Sequence, residues 1–333
     1  MTSTPRHARR AVLGLCGAAL LPLSTPGAAL AQGAWPERNI TLIVPFAPGG
    51  ASDMIARLVA EALTPRLGRA VVVENRPGGA ANIGVGVLAR AAPDGYTIGI
   101  VSLTTLGMNP WFYRDRLPFD PARDFAFISN GAVTPNVLVV NPRKIPANNL
   151  AELVAWLRAN PGRANFGSSG AGTAIHVAME VFLAAAGLSA THVPYRGSGP
   201  MMTDLIGGQI DMAIDGAAVA WPHVQAGSVR ALATTGARRA FFAPDLPTLA
   251  ETWPDAIVDP WHGFAAPAGT PRPVVERLSR EIQAVLRDPA TEARMRAQVM
   301  VPMPLDPDAF AAFVETERRR YGPVIERANI RPD

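Results

Sequence analysis

The chain has 333 residues, of which 48% are hydrophobic, 31 are lysine or arginine and 27 are aspartate or glutamate. This length and composition exclude a fibrous or intrinsically disordered protein and suffice for one large or two medium cores, so we expect two domains. The single cysteine, Cys16, lies near the N-terminus, which excludes disulfides, thiolate metal sites and cysteine catalysis from the remaining chain.

The first 31 residues have the pattern of an export signal peptide. Arg6, Arg9 and Arg10 form a basic end, residues 11–23 an apolar run too short to span a bilayer, and residues 29–31 (ALA) a cleavage site. The adjacent arginines also fit a twin-arginine signal, so Sec and Tat export both remain open. Cleavage near Ala31 removes three basic residues and no acidic one, which leaves 28 − 27 = +1. This balance does not support binding to nucleic acid.

Hydrophobic periodicity predicts alternating strands and helices in the first part of the mature chain. The predicted elements are a strand at 40–44, a helix at 53–67 ended by Gly68, a strand at 71–74, a helix at 81–91 and a strand at 97–102. Because this alternation implies parallel strands with right-handed crossovers, we predict a doubly wound α/β half.

The rest of the chain predicts a second α/β unit followed by long C-terminal helices. Strands are predicted at 125–132, 136–140, 164–167, 191–193, 210–215, 229–235 and 262–266, and helices at 150–160, 173–186, 200–207, 274–287, 290–298 and 308–325, the last with a kink or break at Gly322-Pro323. Glycine and proline fall at turns rather than in one linker, which favours a domain inserted between two chain crossings. We therefore predict lobe 1 from residues 35–103 and 233–333, and lobe 2 from residues 104–232.

Two glycine-rich turns, each between a predicted strand and a predicted helix, are the strongest functional signal. They are VPFAPGGASD at residues 44–53 and NFGSSGAGT at residues 165–173. Backbone N–H groups at such helix starts bind anions, and the hydroxyls of the second turn can donate to carboxylate oxygens. Two such turns facing each other would grip a small carboxylate. The residues that these turns offer are Gly49, Gly50, Asp53, Ser168, Ser169, Gly172 and Thr173, although Asp53 also suits a helix cap.

Several further residues lie where a ligand would be expected. Thr104 follows the third strand, at the edge where open α/β sheets place their ligands. His176 lies one helical turn after Thr173 and either faces the cleft or packs. Tyr195 follows a strand and would border the ligand. Asp215 ends another strand, and because its carboxylate would repel an anion unless it received a hydroxyl or amine, it is a candidate specificity residue.

Familiar enzyme signatures are absent or misplaced. GVGVLA at residues 84–89 has dinucleotide-fingerprint spacing but lies inside a predicted helix, and Lys144, the sole lysine, follows no P-loop. GSSG at residues 167–170 lacks the nucleophile-elbow spacing, and the histidines are never paired as helical metal ligands. We therefore expect no cofactor, no metal and no enzymatic activity.

Taken in order, the motifs of the mature chain resemble the Bug family of extracytoplasmic receptors of tripartite tricarboxylate transporters. The matching segments are residues 35–46 (WPERNITLIVPF), 48–53 (PGGASD), 74–79 (ENRPGG), 92–96 (APDGY), 167–176, 193–197 (VPYRG) and 204–211 (DLIGGQID). The resemblance implies a type II periplasmic binding protein fold, in which two α/β lobes close on a small carboxylic acid, such as a di- or tricarboxylate, and deliver it to an integral-membrane permease.

The resemblance also implies which residues contact the ligand. Family motifs carry carboxylate contacts over to Phe46, Gly49, Gly50, Ser168, Ser169 and Thr173. The chain departs from the family pattern at Met201-Met202 and at residues 215–217, which bears on ligand identity.

We expect a periplasmic monomer. The alternatives are an exported α/β hydrolase with Ser168 as nucleophile, and the sensing domain of a transcription regulator, which the leader and the lack of DNA-binding helices disfavour.

Overall fold

The computed structural model describes residues 35–327, so the predicted signal peptide lies outside the described residues. Within this range the strands form a six-stranded and a five-stranded sheet. The strands are β1 (Ile40–Val44), β2 (Val71–Asn75), β3 (Thr97–Ser102), β4 (Phe125–Val133), β5 (Asn136–Val140), β6 (Asn165–Ser168), β7 (Thr191–Pro194), β8 (Met212–Gly216), β9 (Arg230–Thr234), β10 (Trp261–Pro267) and β11 (Val301–Pro302).

Helices cover both sheets. They are α1 (Ala51–Leu67), α2 (Asn82–Ala89), a π-helix (Leu103–Met108), α3 (Asn109–Tyr113), α4 (Leu150–Ala159), α5 (Ala174–Ala186), α6 (Ser198–Gly207), α7 (Ala217–Gln225), α8 (Arg272–Leu286), α9 (Pro289–Ala297) and α10 (Pro307–Arg327), with short 3₁₀ turns at Arg114–Arg116 and Leu249–Glu251. Across residues 35–327 every helix is too short or too polar for a bilayer span.

Both sheets are mixed. The six-stranded sheet has the order β11-β4-β10-β3-β1-β2, in which β1 is parallel to β2 and β3, while β10 is antiparallel to β3 and β4. The five-stranded sheet has the order β7-β6-β8-β5-β9, in which β6 is parallel to β7 and β8, while β5 is antiparallel to β8 and β9. The parallel strands are those that the strand-helix alternation predicted.

The chain passes between the two sheets twice, and the two crossing segments are hydrogen-bonded to each other. The first crossing lies between β4 and β5, and the second between β9 and β10. Thr134 N–H on the first donates to Pro260 O on the second at 2.9 Å, and within the second crossing Val258 N–H donates to Thr235 O at 3.0 Å. Paired crossings of this kind hold the two sheets side by side with a cleft between them.

One strand contradicts the predicted lobe boundaries. Strand β4, which falls within the range predicted for lobe 2, pairs with β10 and β11 in the six-stranded sheet. The chain keeps to this sheet through the π-helix and α3 after β3, and crosses only after Val133. The alternation of elements did not reveal this, because β4 joins its sheet antiparallel to a strand about 130 residues later in the chain.

Most predicted elements are present within one to three residues, and the differences have local causes. The α7 helix was not predicted, because it is short and contains Pro222. The π-helix was not predicted because its residues are buried all round and give no period. Of the kink or break predicted at Gly322-Pro323, the break is wrong, since α10 continues through Pro323. Gly322 there allows close packing of the Trp111 ring, whose atoms lie about 2.5 Å from where a Cβ would stand.

Candidate functional site

A cavity of about 70 Å³ lies between the two sheets, beside the paired crossings. One water needs roughly 10–15 Å³, so the space holds several waters or one polar group of a small organic molecule. The lining residues are Phe46, Ala47, Gly50, Ala51, Ser52, Ser102, Leu103, Thr104, Thr134, Ser169, Thr173, Ala174, Ile175, Gly197, Ser198, Asp215, Gly216, Val219, Pro260, Trp261 and His262.

Four helices begin at this cavity. Their N-cap residues are Gly50 for α1, Thr173 for α5, Gly197 for α6 and Gly216 for α7, and all four line it. None of these residues makes a side-chain capping hydrogen bond. The first N–H groups of a helix have no acceptor within the helix and carry the positive end of its dipole. Convergence of four such ends on one cavity therefore favours an anion.

The cavity wall is rich in hydroxyl groups and has no lysine or arginine among its lining residues. The hydroxyl-bearing residues are Ser52, Ser102, Thr104, Thr134, Ser169, Thr173 and Ser198. Thr104 Oγ1 accepts the N–H of Ala174 at 2.9 Å, which joins the end of β3 to the start of α5 across the cleft. An anion here would be bound by N–H and O–H donors rather than by an opposite charge.

His262 forms part of the wall and is held as a neutral ring. It is buried, and its burial lowers the pKa to about 4. Its Nδ1 lies 3.0 Å from Ser52 Oγ on α1, and its Nε2 lies 3.1 Å from Thr134 Oγ1 on the crossing. His262 thus fixes two hydroxyls of the wall instead of presenting a charge.

Asp215 is the carboxyl group of the cavity. It is 1% exposed, and its Oδ1 accepts hydrogen bonds from Ser198 Oγ at 2.6 Å and from Gly216 N–H at 2.9 Å. Its Oδ2 is buried and has no hydrogen-bond partner among the described residues. Burial raises the pKa of Asp215 to about 7, against the two hydrogen bonds that lower it.

The structure brings half of the twelve predicted site residues to the cavity. Phe46, Gly50, Thr104, Ser169, Thr173 and Asp215 line it. The other six, which are Gly49, Asp53, Ser168, Gly172, His176 and Tyr195, do not. Their polar groups are engaged in bonds that shape the surrounding turns.

Asp53 and Gly49 shape the first glycine turn. The N–H of Gly49 donates to Asp53 Oδ2 at 3.0 Å, and the same carboxylate accepts hydrogen bonds from Arg57 Nε at 3.0 Å and Asn75 Nδ2 at 2.9 Å. Burial of Asp53 raises its pKa, but the hydrogen bonds from Arg57, Gly49 and Asn75 outweigh it and the pKa is lowered. Asp53 is therefore ionised, stabilises the turn through these hydrogen bonds and is not among the residues that line the cavity.

A cluster of two histidines and a serine shapes the second glycine turn. Ser168 Oγ donates to Gly170 O at 3.0 Å and lies 2.7 Å from His192 Nε2. His176 Nδ1 accepts the N–H of Gly172 at 3.0 Å, and its ring stacks on His192 with 3.9 Å between centroids. Ser168, Gly172 and His176 thus position the turn that carries Ser169 and Thr173 into the cavity.

A wider groove of about 580 Å³ adjoins the cavity and shares Phe46, Ala47 and Ser169 with it. Tyr195 lines this groove and donates its O–H to Asp204 at 2.8 Å. The groove is also lined by Gly78 and Gly79, which end the 74–79 motif, and by Ala80 and Ala81, and all four have positive φ. Positive φ at two successive alanines is unusual, and the Asn109 amide supports it by donating to Ala80 O at 2.9 Å.

Comparisons with known proteins agree with this geometry. The sequence model of the family described as tripartite tricarboxylate transporter family receptor matches residues 55–330 of this chain. The protein BugT of Bordetella pertussis is 33% identical over 298 residues, which are 89% of this chain and 91% of the relative. The chain belongs to the tripartite tricarboxylate transporter receptor family.

Two solved structures of this receptor family contain a bound dicarboxylate. Rhodopseudomonas palustris Rpa4515 with adipate is 35% identical, with a TM-score of 0.86 over 90% of this receptor and 100% of that chain. MatC from Rhodopseudomonas palustris with bound malate is 28% identical, with a TM-score of 0.81 over 87% of this receptor and 99% of that chain. These matches confirm the predicted family and the predicted two-lobed periplasmic binding protein fold.

Sequence reasoning missed much of the receptor's cavity wall. Ser52 lies two residues after Gly50 in the first turn and Ser198 directly follows the VPYRG segment, so both had a usable signal although neither was predicted to bind the ligand. Ser102 ends the same strand that pointed to Thr104. Trp261 and His262 had no usable signal, because only the start of a strand was predicted there. In residues 35–327 no group of three or more His, Cys, Asp or Glu side chains is placed to hold a metal.

Proposed function

We propose that this receptor binds a small carboxylic acid, such as a di- or tricarboxylate, between its two lobes and delivers it to a tripartite tricarboxylate-type membrane permease. The observation that carries the proposal is the meeting of four helix N-termini, whose N-cap residues make no side-chain capping hydrogen bond, at one cavity whose lining has no lysine or arginine. The adipate and malate bound by two relatives support a ligand of the same class.

The ligand carboxylate is proposed to be bound by the helix starts at Gly50 and Thr173, with Phe46, Thr104 and Ser169 completing the wall. Charge-assisted hydrogen bonds contribute roughly 1.5–3 kcal/mol each, and a helix N-terminus up to about 2 kcal/mol. A few of these contacts, less the cost of association, can reach about −8 kcal/mol, which corresponds to micromolar affinity. An arginine is not required.

Export, cellular location and closure of the two lobes are part of the same proposal. The leader is cleaved near Ala31 after Sec or Tat export, and the mature receptor works as a periplasmic monomer. Its family has periplasmic members, which supports this location. The lobe that carries the six-stranded sheet and the lobe that carries the five-stranded sheet close on the ligand by bending at the paired crossings.

Thermal-shift screening of the mature protein against a library of carboxylic acids tests the proposed ligand class. A ligand that binds only the folded state, at a concentration one hundred times its Kd, stabilises that state by about 2.7 kcal/mol. This raises Tm by a few degrees in a chain of this size. We expect at least one di- or tricarboxylate to give such a shift. Shifts caused only by nucleotides or sugars would contradict the proposal.

The contact between Ser168 and His192 is the observation that would favour an exported hydrolase. Ser168 is fully buried, lies outside the cavity lining and already donates its proton to Gly170 O. We therefore expect no turnover of small esters such as p-nitrophenyl acetate above the background rate of the Ser168→Ala variant. The variant should instead lose about 1–2 kcal/mol of unfolding free energy, measured by urea denaturation, because partners of the buried hydroxyl are left unsatisfied. Ester turnover that the substitution abolishes would restore the hydrolase hypothesis.

A further inference from the structure

Asp215 lines a cavity that favours anions, and one of its two oxygens is unpartnered in the described part of the chain. Its Oδ1 already accepts the Ser198 hydroxyl and the Gly216 N–H, whereas Oδ2 is buried without a partner among the described residues. A buried polar atom without a partner is rare and costly in folded proteins, so its partner is expected to arrive with a ligand.

The charged and titratable groups around Asp215 do not offset its charge. Strands β5 and β6, which flank β8, contain no ionisable side chain. On the helices packed against β8, Asp204 accepts from Tyr195, His176 lies 3.5 Å from Glu180, and His223 lies in the last turn of α7.

The groups on the other side of the cavity are equally unable to neutralise Asp215. On α1, Asp53 is paired with Arg57, and His262 in the cavity wall is neutral. An ionised Asp215 and a ligand carboxylate would therefore repel each other in a space with no positive side chain.

We propose that Asp215 binds the ligand as a neutral carboxylic acid, with the proton on Oδ2 donated to a carboxylate oxygen of the ligand. This inference rests on the proposed function and extends it: where Asp215 is ionised in the free receptor, one proton from solvent is taken up with each ligand. The proton belongs on Oδ2 because Oδ1 is occupied as an acceptor of two hydrogen bonds. The raised pKa that burial gives Asp215 makes the neutral form accessible near neutral pH.

The arrangement defines a ligand class as well as a proton requirement. A neutral acid at this position donates to a carboxylate and needs no hydroxyl or amine on the ligand. Dicarboxylates without such groups, for example succinate, glutarate and adipate, are therefore accepted. The rival arrangement, in which ionised Asp215 accepts a hydrogen bond from a ligand hydroxyl or ammonium group, requires a hydroxy acid or an amino acid.

Isothermal titration calorimetry with succinate, glutarate and adipate distinguishes the two arrangements. Titrations near pH 6 and near pH 8.5, each in two buffers of different ionisation enthalpy, give the number of protons taken up. We expect uptake close to zero near pH 6 and close to one near pH 8.5. The affinity should fall about tenfold per pH unit above the pKa that Asp215 has in the free receptor.

The Asp215→Asn variant provides the second readout, because its amide keeps an acceptor for Ser198 and offers an N–H donor in place of the acid proton. We expect the variant to bind with an affinity within about tenfold of the wild type near pH 6, without proton uptake and without pH dependence. Asp204→Asn, which alters a carboxyl outside the cavity lining, should keep the wild-type pH dependence.

Three results would overturn the inference: no proton uptake near pH 8.5, a folded Asp215→Asn variant that loses binding near pH 6, or binding restricted to hydroxy and amino acids. The wild-type proton uptake decides the matter even where the variant does not fold. Failure of every carboxylic acid to bind at either pH would instead contradict the proposed function itself.

Discussion

Replacing Gly50 with valine is expected to weaken carboxylate binding by about a hundredfold while the fold is retained. Gly50 is the N-cap of α1 with φ of −86°, an extended conformation that valine adopts freely, and the atom nearest to an added Cβ is Ala47 O at 3.9 Å. Gly50 nevertheless lines the cavity, so the added methyl groups are expected to crowd a ligand bound at the first N–H groups of α1. A hundredfold loss is about 2.7 kcal/mol, the size of one charge-assisted hydrogen bond.

Gly207→Val is the matched control for this variant. Gly207 is exposed in the last turn of α6, has open space where its Cβ would stand and lies outside the cavity lining. Both variants should unfold at urea concentrations close to that of the wild type, and only the Gly50 variant should lose affinity in titrations with the acid identified by screening. Equal affinities for the two folded variants would show that the first glycine turn has only a structural role.

The glycine turns could be located from the sequence because two local signals coincide in them. An apolar run ends, glycines follow, and helical periodicity begins, which fixes Gly50 and Thr173 at helix starts. Local signals of this kind also gave the parallel strands β1, β2 and β3. The direction in which each polar side chain of a turn points is not encoded in this way.

Asp53, Ser168 and His176 illustrate this limit. A carboxylate, a hydroxyl or an imidazole in a glycine turn can bind a ligand or brace the turn, and the residue types are the same in both cases. The partners decide the outcome, and those of Asp53 and Ser168 include Asn75 and His192, which lie 22 and 24 residues away. Only the folded structure shows that these pairs form.

The rest of the cavity wall depends on contacts between distant parts of the chain. Ser52 meets His262 over a separation of 210 residues, and Thr134 meets the same ring over 128. Strand β10 brings His262 there by pairing antiparallel with β3 and β4, an arrangement that no local periodicity encodes. The same long-range pairing is the reason that the predicted boundary of lobe 2 misplaced β4.

Strand β10 is also an element in which a one-atom change should have a large effect on stability. Gly263 follows the cavity residues Trp261 and His262, and a Cβ on it would stand 2.2 Å from Cζ of Phe310. Phe310 is fully buried between the rings of Phe127 and Trp261, at centroid distances of 5.4 and 5.7 Å. Because β10 is hydrogen-bonded to strands on both sides, its backbone has little freedom to relieve the overlap.

We therefore expect Gly263→Ala to lower the unfolding free energy by about 3 kcal/mol, measured by urea denaturation followed by circular dichroism, since overpacking of a rigid core costs roughly 1–3 kcal/mol or more. A smaller side chain at position 310 should remove the overlap. The double variant with Phe310→Leu is therefore expected to be more stable than the sum of the two single losses predicts, by at least about 1 kcal/mol. Gly207→Ala, in open space, should change stability only slightly. Strictly additive losses in the double variant would show that the ring and the strand do not limit each other, and the cost would then have to come from the backbone of β10 alone.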